Sequence, residues 1–142
     1  MKPAFHRAVA GLATLAVVGS LAWGFASAGG PGLRREEQLD ERRLDDLQGI
    51  VDHLRREYVV HEPDPRLRGP IPTTLDALLA AARTDRPSIR DPQTGELYEF
   101  AVLDRSRIRL CARFLRARAE DRDVAWNHPA GRHCFEVDLL ER

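Results

Sequence analysis

Two cysteines, Cys111 and Cys134, are the residues of this chain whose placement most plainly implies a bond. Each stands on the polar side of an alternating stretch. Ile108, Leu110, Ala112 and Phe114 interleave with Arg107, Arg109, Cys111 and Arg113, and Phe135, Val137 and Leu139 interleave with Cys134, Glu136 and Asp138. A free buried thiol behaves as a small hydrophobe and belongs with the apolar set. The polar placement instead suits two cysteines facing each other across an antiparallel pair. That register sets Arg109 against Glu136, Arg107 against Asp138, Leu110 against Phe135 and Ile108 against Val137. Apolar meets apolar on one face and opposite charges meet on the other, which is how cross-strand pairs stabilise a sheet. The pairing predicts a Cys111–Cys134 disulfide, hence an oxidising compartment. Closing a loop of this length contributes about 3 kcal/mol on the chain-entropy model.

Other chemistry-bearing residues point to less. His128, His133 and Cys134 lie close together, but a metal needs a third or fourth ligand, and the remaining histidines are His6, His53 and His61. Neither a Cys-x-x-Cys pair nor a His-Glu-x-x-His motif is present, and a disulfide removes Cys134 as a ligand. The serines Ser20, Ser27, Ser88 and Ser106 have no histidine nearby in the chain, and no carboxylate pair stands out. No enzyme, cofactor, metal or small-molecule substrate is expected. Arg105, Arg107, Arg109 and Arg113 form a stripe that suits either an acidic or lipid partner or cross-strand pairing with Glu136 and Asp138, and pairing is the expectation. At the far end of that register Arg113 faces Arg132 and lacks an acid, so these two are candidate partner contacts. Trp126, opening the turn-rich stretch Trp126–Gly131, either caps an edge of the core or anchors a partner.

Composition narrows the partners. All 22 acidic residues follow Gly32, and only Lys2 and Arg7 of the 22 basic ones precede it, so the later part carries a net charge of −2. Near neutrality excludes a long-range pull on nucleic acid. The basic residues are 21 Arg and one Lys, most with an Asp or Glu a few positions away, a compositional bias rather than a phosphate-binding cluster. About 110 residues after Gly32 suffice for one core.

The elements that must position these residues begin with an apolar run. Residues 1–7 read as a cytoplasmic N-terminus with Lys2, His6 and Arg7, and Ala8–Ala28 is uncharged with Trp23 and Phe25 near its far end. The length fits a single-pass inner-membrane anchor with the domain outside the cytoplasm. Ala26-Ser27-Ala28 also fits a signal-peptidase site, giving secretion after cleavage near Ala28; the length of the run favours the anchor. Residues 29–33 read as a hinge and 34–142 as an extracytoplasmic α+β domain. Leu44, Leu47, Val51, Leu54 and Tyr58 make the apolar stripe of a long helix over about Arg34–Tyr58, with Leu39 and Ile50 in support. His61–Pro72 is Pro- and Gly-rich and reads as an extended loop. Thr73-Thr74-Leu75-Asp76 resembles a capping box opening a short helix over Thr74–Arg83. Asp91-Pro92-Gln93-Thr94-Gly95 is a turn, with strands expected after it around Tyr98–Val102, Arg107–Phe114 and His133–Leu139. The predicted fold is a transmembrane helix, then a long amphipathic helix and a short helix packed on a small antiparallel sheet.

The order of these elements, with Pro72-Thr73-Thr74 before Leu75 and Leu78 and Asp91-Pro92 before Gly95 and Tyr98, resembles the type IV pilins, above all the major pseudopilin of type II secretion. The likeness covers roughly residues 34–115. It implies the fold of the outer domain and a subunit of a secretion or pilus apparatus. The prepilin peptidase site of that family, a Gly before an aromatic or Met with a Glu a few residues on, has no counterpart in Ala8–Ala28. Leu110-Cys111-Ala112-x-Phe114 and Gly131-x-x-Cys134-Phe135 also resemble segments of membrane-anchored bacterial proteins of the same layout, a likeness that carries no function. The expectation from the residues is a non-enzymatic, membrane-anchored scaffold or interaction module.

Overall fold

A computed structural model describes residues 3–27, 31–82, 86–118 and 124–141. The chain divides into two compact units, Met1–Arg35 and Glu36–Arg142. The first contains helix α1, Pro3–Ser27, rich in Ala, Leu and Val with no acidic residue. Its large apolar side chains are exposed, from Val9 at 50% to Trp23 at 79%. Among the described residues no helix is long and apolar enough to cross a membrane. The expected span Ala8–Ala28 runs beyond them at Ala28, where the expected cleavage site also lies.

Helix α2, Pro31–Tyr58, starts earlier than its apolar stripe suggests. Proline has no N–H to lose at a first helical position and its fixed φ suits the turn, so Pro31 starts the helix instead of extending the break before it. Residues 31–33 of the segment expected as a hinge over 29–33 are therefore helical. Arg55 and Arg56 stand in the last turn, where cations complement the helix dipole. Leu44, Leu47, Ile50, Val51 and Leu54 are buried in one cluster with Ile108, Leu110, Phe114 and Phe135 of the sheet. Burial of each such side chain contributes about 1.5–3 kcal/mol. The stripe thus serves the domain's own core.

The expected loop after α2 contains a two-residue hairpin, β1 (Val59–Val60) against β2 (Arg66–Leu67), with Val59 opposite Leu67. Helix α3, Leu75–Ala81, is capped by Thr74, whose hydroxyl accepts from the Ala77 amide at 3.1 Å. The cap falls one residue later than the capping-box pattern predicts, which moves Asp76 from the third helical position to the second. The helix ends at Ala81, and Arg83 lies outside the described residues. The Asp91 turn closes as expected: Asp91 Oδ1 accepts from the amides of Gln93 and Thr94, and Gly95 takes φ 73°, the region glycine enters without steric cost.

Three strands follow, β3 (Glu99–Val102), β4 (Arg107–Phe114) and β5 (Gly131–Asp138), antiparallel in the order β3-β4-β5. The fold is therefore α+β. Cys111 pairs with Cys134, Arg109 with Glu136, Leu110 with Phe135 and Arg113 with Arg132. On the inner face Ile108, Leu110, Ala112 and Phe114 are buried, and the outer face bears the arginines and the cysteines.

Candidate functional site

The outer face of β4 and β5 is built around the disulfide. Cys111 and Cys134 are bonded with S–S 2.12 Å and χ3 102°. Arg109 donates to Glu136 Oε1 from both Nε and Nη2, at 3.0 and 2.7 Å. Arg107 sits opposite Asp138 in register, but its guanidinium turns to Asp104 at 2.5 Å. That acid is nearer in the chain and already bound to the amides of Ser106 and Arg107, so its carboxylate is held in place. These backbone donors, with the guanidinium, hold Asp104 below the ordinary aspartate range. Arg105 lies in the hairpin loop and not on the strand, so the expected arginine stripe is shorter by one residue.

Arg132 is not without an acid, as the two-strand register implies. The third strand supplies one: Arg132 makes a two-pronged ion pair with Glu99 of β3, at 2.8 and 2.6 Å, which lowers the Glu99 pKa. The Arg132 guanidinium also lies 3.7 Å from Cys111 Sγ. Arg113 remains. It is exposed, and its side chain makes no hydrogen bond or ion pair among the described residues. Arg113, Arg132 and Cys111 line a cleft of about 240 Å³ together with Glu96, Leu97 and Leu115.

The back of that cleft is anchored by a group that the sequence reading missed. Arg43 of α2 is 2% exposed. It donates to Asp40 Oδ1 at 2.7 Å, to Asp91 Oδ2 at 2.5 Å and to Gln93 Oε1 at 2.8 Å. Burial opposes its charge, and the two carboxylates outweigh burial, leaving its pKa raised. Burial likewise opposes ionisation of Asp91, but the Arg43 guanidinium and the turn amides hold its pKa below the ordinary value. Asp40 accepts further bonds from the amides of Leu115 and Arg116 at the end of β4. One turn along α2, Asp46 accepts from the Tyr98 hydroxyl at 2.8 Å. Burial raises both pKa values, and Asp46 pushes that of Tyr98 further up, so Tyr98 stays a neutral donor. A signal was present: Asp40 and Arg43 precede Leu47 by seven and four residues, so they continue the apolar stripe with charged residues.

Trp126 is half-buried and tilts over Phe135, ring centroids 4.8 Å apart. His128 stacks on Phe114 at 3.6 Å and is 5% exposed, with burial lowering its pKa. Trp126 therefore packs at the edge of the core. Cys134 is taken up by the disulfide, and among the described residues no group of three or more His, Cys, Asp and Glu is placed to hold a metal ion.

No protein-family model matches the chain, and no curated protein and no solved structure matches it.

Proposed function

We propose that this chain is a membrane-tethered interaction module, non-enzymatic, with Glu36–Arg142 held outside the cytoplasm by its N-terminal helix. The observation that carries this reading is the set of exposed side chains of α1: Leu12, Leu15, Leu21, Trp23 and Phe25 are each more than half exposed. A helix apolar on every side needs an apolar environment, and a bilayer supplies it. Its uncharged residues 8–27 rise about 30 Å, about the thickness of the hydrocarbon layer. The reading rests on the uncharged run Ala8–Ala28 as a whole, which extends past the described residues, and on Lys2 and Arg7 before it. The disulfide supports the same side of the membrane, because such bonds persist in oxidising compartments.

The test is the intact mass of the chain from native membranes, with and without reduction before alkylation. Full length, with two thiols alkylated only after reduction, is the expected result. A mass beginning near Gly29 would make the domain a secreted one. Thiols free without reduction would sink export.

A second reading is a pseudopilin-like subunit of a type II secretion or pilus apparatus. It is favoured by the order of a long helix, a short helix capped after Pro72-Thr73, the Asp91 turn and a three-stranded sheet. It requires an N-terminus shortened by prepilin peptidase, which the same mass would reveal.

A further inference from the structure

The outer-face cleft collects most of what the domain leaves uncommitted on its surface. Three large apolar side chains of the described Glu36–Arg142 unit are exposed: Leu97, Leu103 and Leu115. Two of them, Leu97 at 42% and Leu115 at 39%, line the cleft that Arg113 lines. Arg113 is also the guanidinium of the sheet's outer face without an acid. Arg109 holds Glu136, Arg107 holds Asp104, and Arg132 holds Glu99.

The local structure makes this position costly for the sheet itself. Arg113 and Arg132 are direct cross-strand neighbours, and like charges set opposite each other destabilise a sheet. Glu99 neutralises one of the two. The other stands on the central strand β4, which Cys111–Cys134 bonds to β5, in the cleft that Arg43 also lines. An uncommitted guanidinium in a cleft with apolar side chains is the composition of a protein contact, since arginine is enriched among residues that dominate binding. The cleft volume of about 240 Å³ is below the range of small-molecule sites, which begin at about 300 Å³. It suits a side chain presented by another polypeptide better than a whole ligand.

We propose that this cleft docks an extended segment of a partner protein that places one carboxylate on Arg113 and apolar side chains against Leu97 and Leu115. The inference rests on the interaction-module reading and names its surface. Glu96, on the wall of the same cleft and without an ion pair among the described residues, repels a second carboxylate. The segment therefore carries a single acid between apolar residues and not an acidic run.

The probe is a capped pentapeptide, Leu-Gly-Glu-Gly-Leu, whose alternate side chains share one face when extended, titrated into the isotopically labelled full chain in detergent micelles and followed by amide NMR. One charged hydrogen-bonded contact with flanking apolar burial sets a dissociation constant of about 10 mM or tighter. Saturable shifts at the amides of Leu97, Arg113 and Leu115 are expected, about tenfold weaker for the Gln version of the peptide. Arg113→Gln abolishes the Glu preference, whereas Arg109→Gln, whose partner Glu136 lies outside the cleft, leaves it intact. Retained oxidation of Cys111–Cys134 and an unchanged melting temperature show that the variants fold. Equal binding of the Glu and Gln peptides, a titration still linear at about 50 mM, five times the expected dissociation constant, or indifference to Arg113→Gln would each overturn the proposal. Acetate reproducing the peptide's shifts at equal concentration would also overturn it, by making the cleft a simple anion site. Alkaline carbonate extraction of the native membranes from which the chain is purified separates the two readings. Lost binding in a chain that stays with the membrane sinks the docking site alone, and binding in a chain that leaves the membrane sinks the tether alone.

Discussion

At the scale of single residues, the strongest constraint is Arg43, a charge placed where an apolar side chain would ordinarily sit. Its value lies in what its removal exposes. Asp40 and Asp91 have side chains only 9% and 11% exposed, so without the guanidinium two nearly buried carboxylates lose their counter-charge. Breaking a buried pair by deleting one partner costs about 3–5 kcal/mol. Arg43→Met is expected to lose that much in urea unfolding, and Arg43→Lys most of it, because one ammonium does not reproduce the planar fork that meets Asp40, Asp91 and Gln93 together. A loss under about 1 kcal/mol would mean that the seam is open to water. His128 gives a pH signature of its own. Burial depresses its pKa in the fold below the ordinary value of about 6.5. Between the folded and unfolded values the unfolded chain binds more protons, so stability falls as pH falls below about 6.5. Asp91 has a depressed pKa as well, but its contribution is lost only below its ordinary value of about 3.9. Urea midpoints at pH 8, 6 and 5 are expected to decline in the native chain and to decline less in His128→Gln.

At the scale of elements, β4 and β5 show what a sequence can carry. Side chains in a strand alternate with period two, so placing both cysteines among polar residues fixes the register of every pair between them. The pairings of Leu110 with Phe135 and Arg109 with Glu136 follow from it. The bond closes a loop between positions 23 apart, and on chain entropy its loss costs about 3 kcal/mol. Dithiothreitol is expected to shift the urea midpoint accordingly, and the double Cys111→Ser, Cys134→Ser variant to match the reduced protein and ignore the reductant. A midpoint unmoved by reductant would mean that the bond does not supply this stability. Thr74 is a smaller test: its hydroxyl serves the Ala77 amide, and Thr74→Ala costs about 1 kcal/mol. Other features were not legible, for one shared reason. Glu99 reaches Arg132 from a third strand, Asp104 takes Arg107 through a loop conformation, and Asp91 meets Arg43 across 48 positions. Pairwise register reasoning sees two strands at a time, whereas these contacts depend on three elements meeting. The Val59–Val60 hairpin escaped because two residues are too few for a period, and Pro31 because proline reads equally as a breaker and as a helix start.

At the scale of the whole molecule, the division into two units makes a claim about where stability resides. Every residue of the hydrophobic core lies at Leu44 or beyond, and the buried polar groups begin at Asp40. The described side chains of the unit Met1–Arg35 supply none of either. Deleting residues 1–30, which keeps Pro31 at the first turn of α2, therefore removes none of the described side chains that the fold buries. The shortened chain is expected to form the Cys111–Cys134 bond and to melt within about 4 °C of the full chain, the shift that about 1 kcal/mol produces in a domain of this size. Its phase behaviour changes instead. In a detergent-cloud separation the full chain, with α1 exposing Leu12, Leu15 and Trp23, enters the detergent phase, and the shortened chain stays in the aqueous one. A larger drop in melting temperature would make α1 part of the fold and not only its attachment, and the apolar surface of α1 would then need a protein surface, not lipid, to cover it. Equal partitioning of the two chains with unchanged stability would instead remove the bilayer from the account while leaving the domain and its docking cleft as they stand.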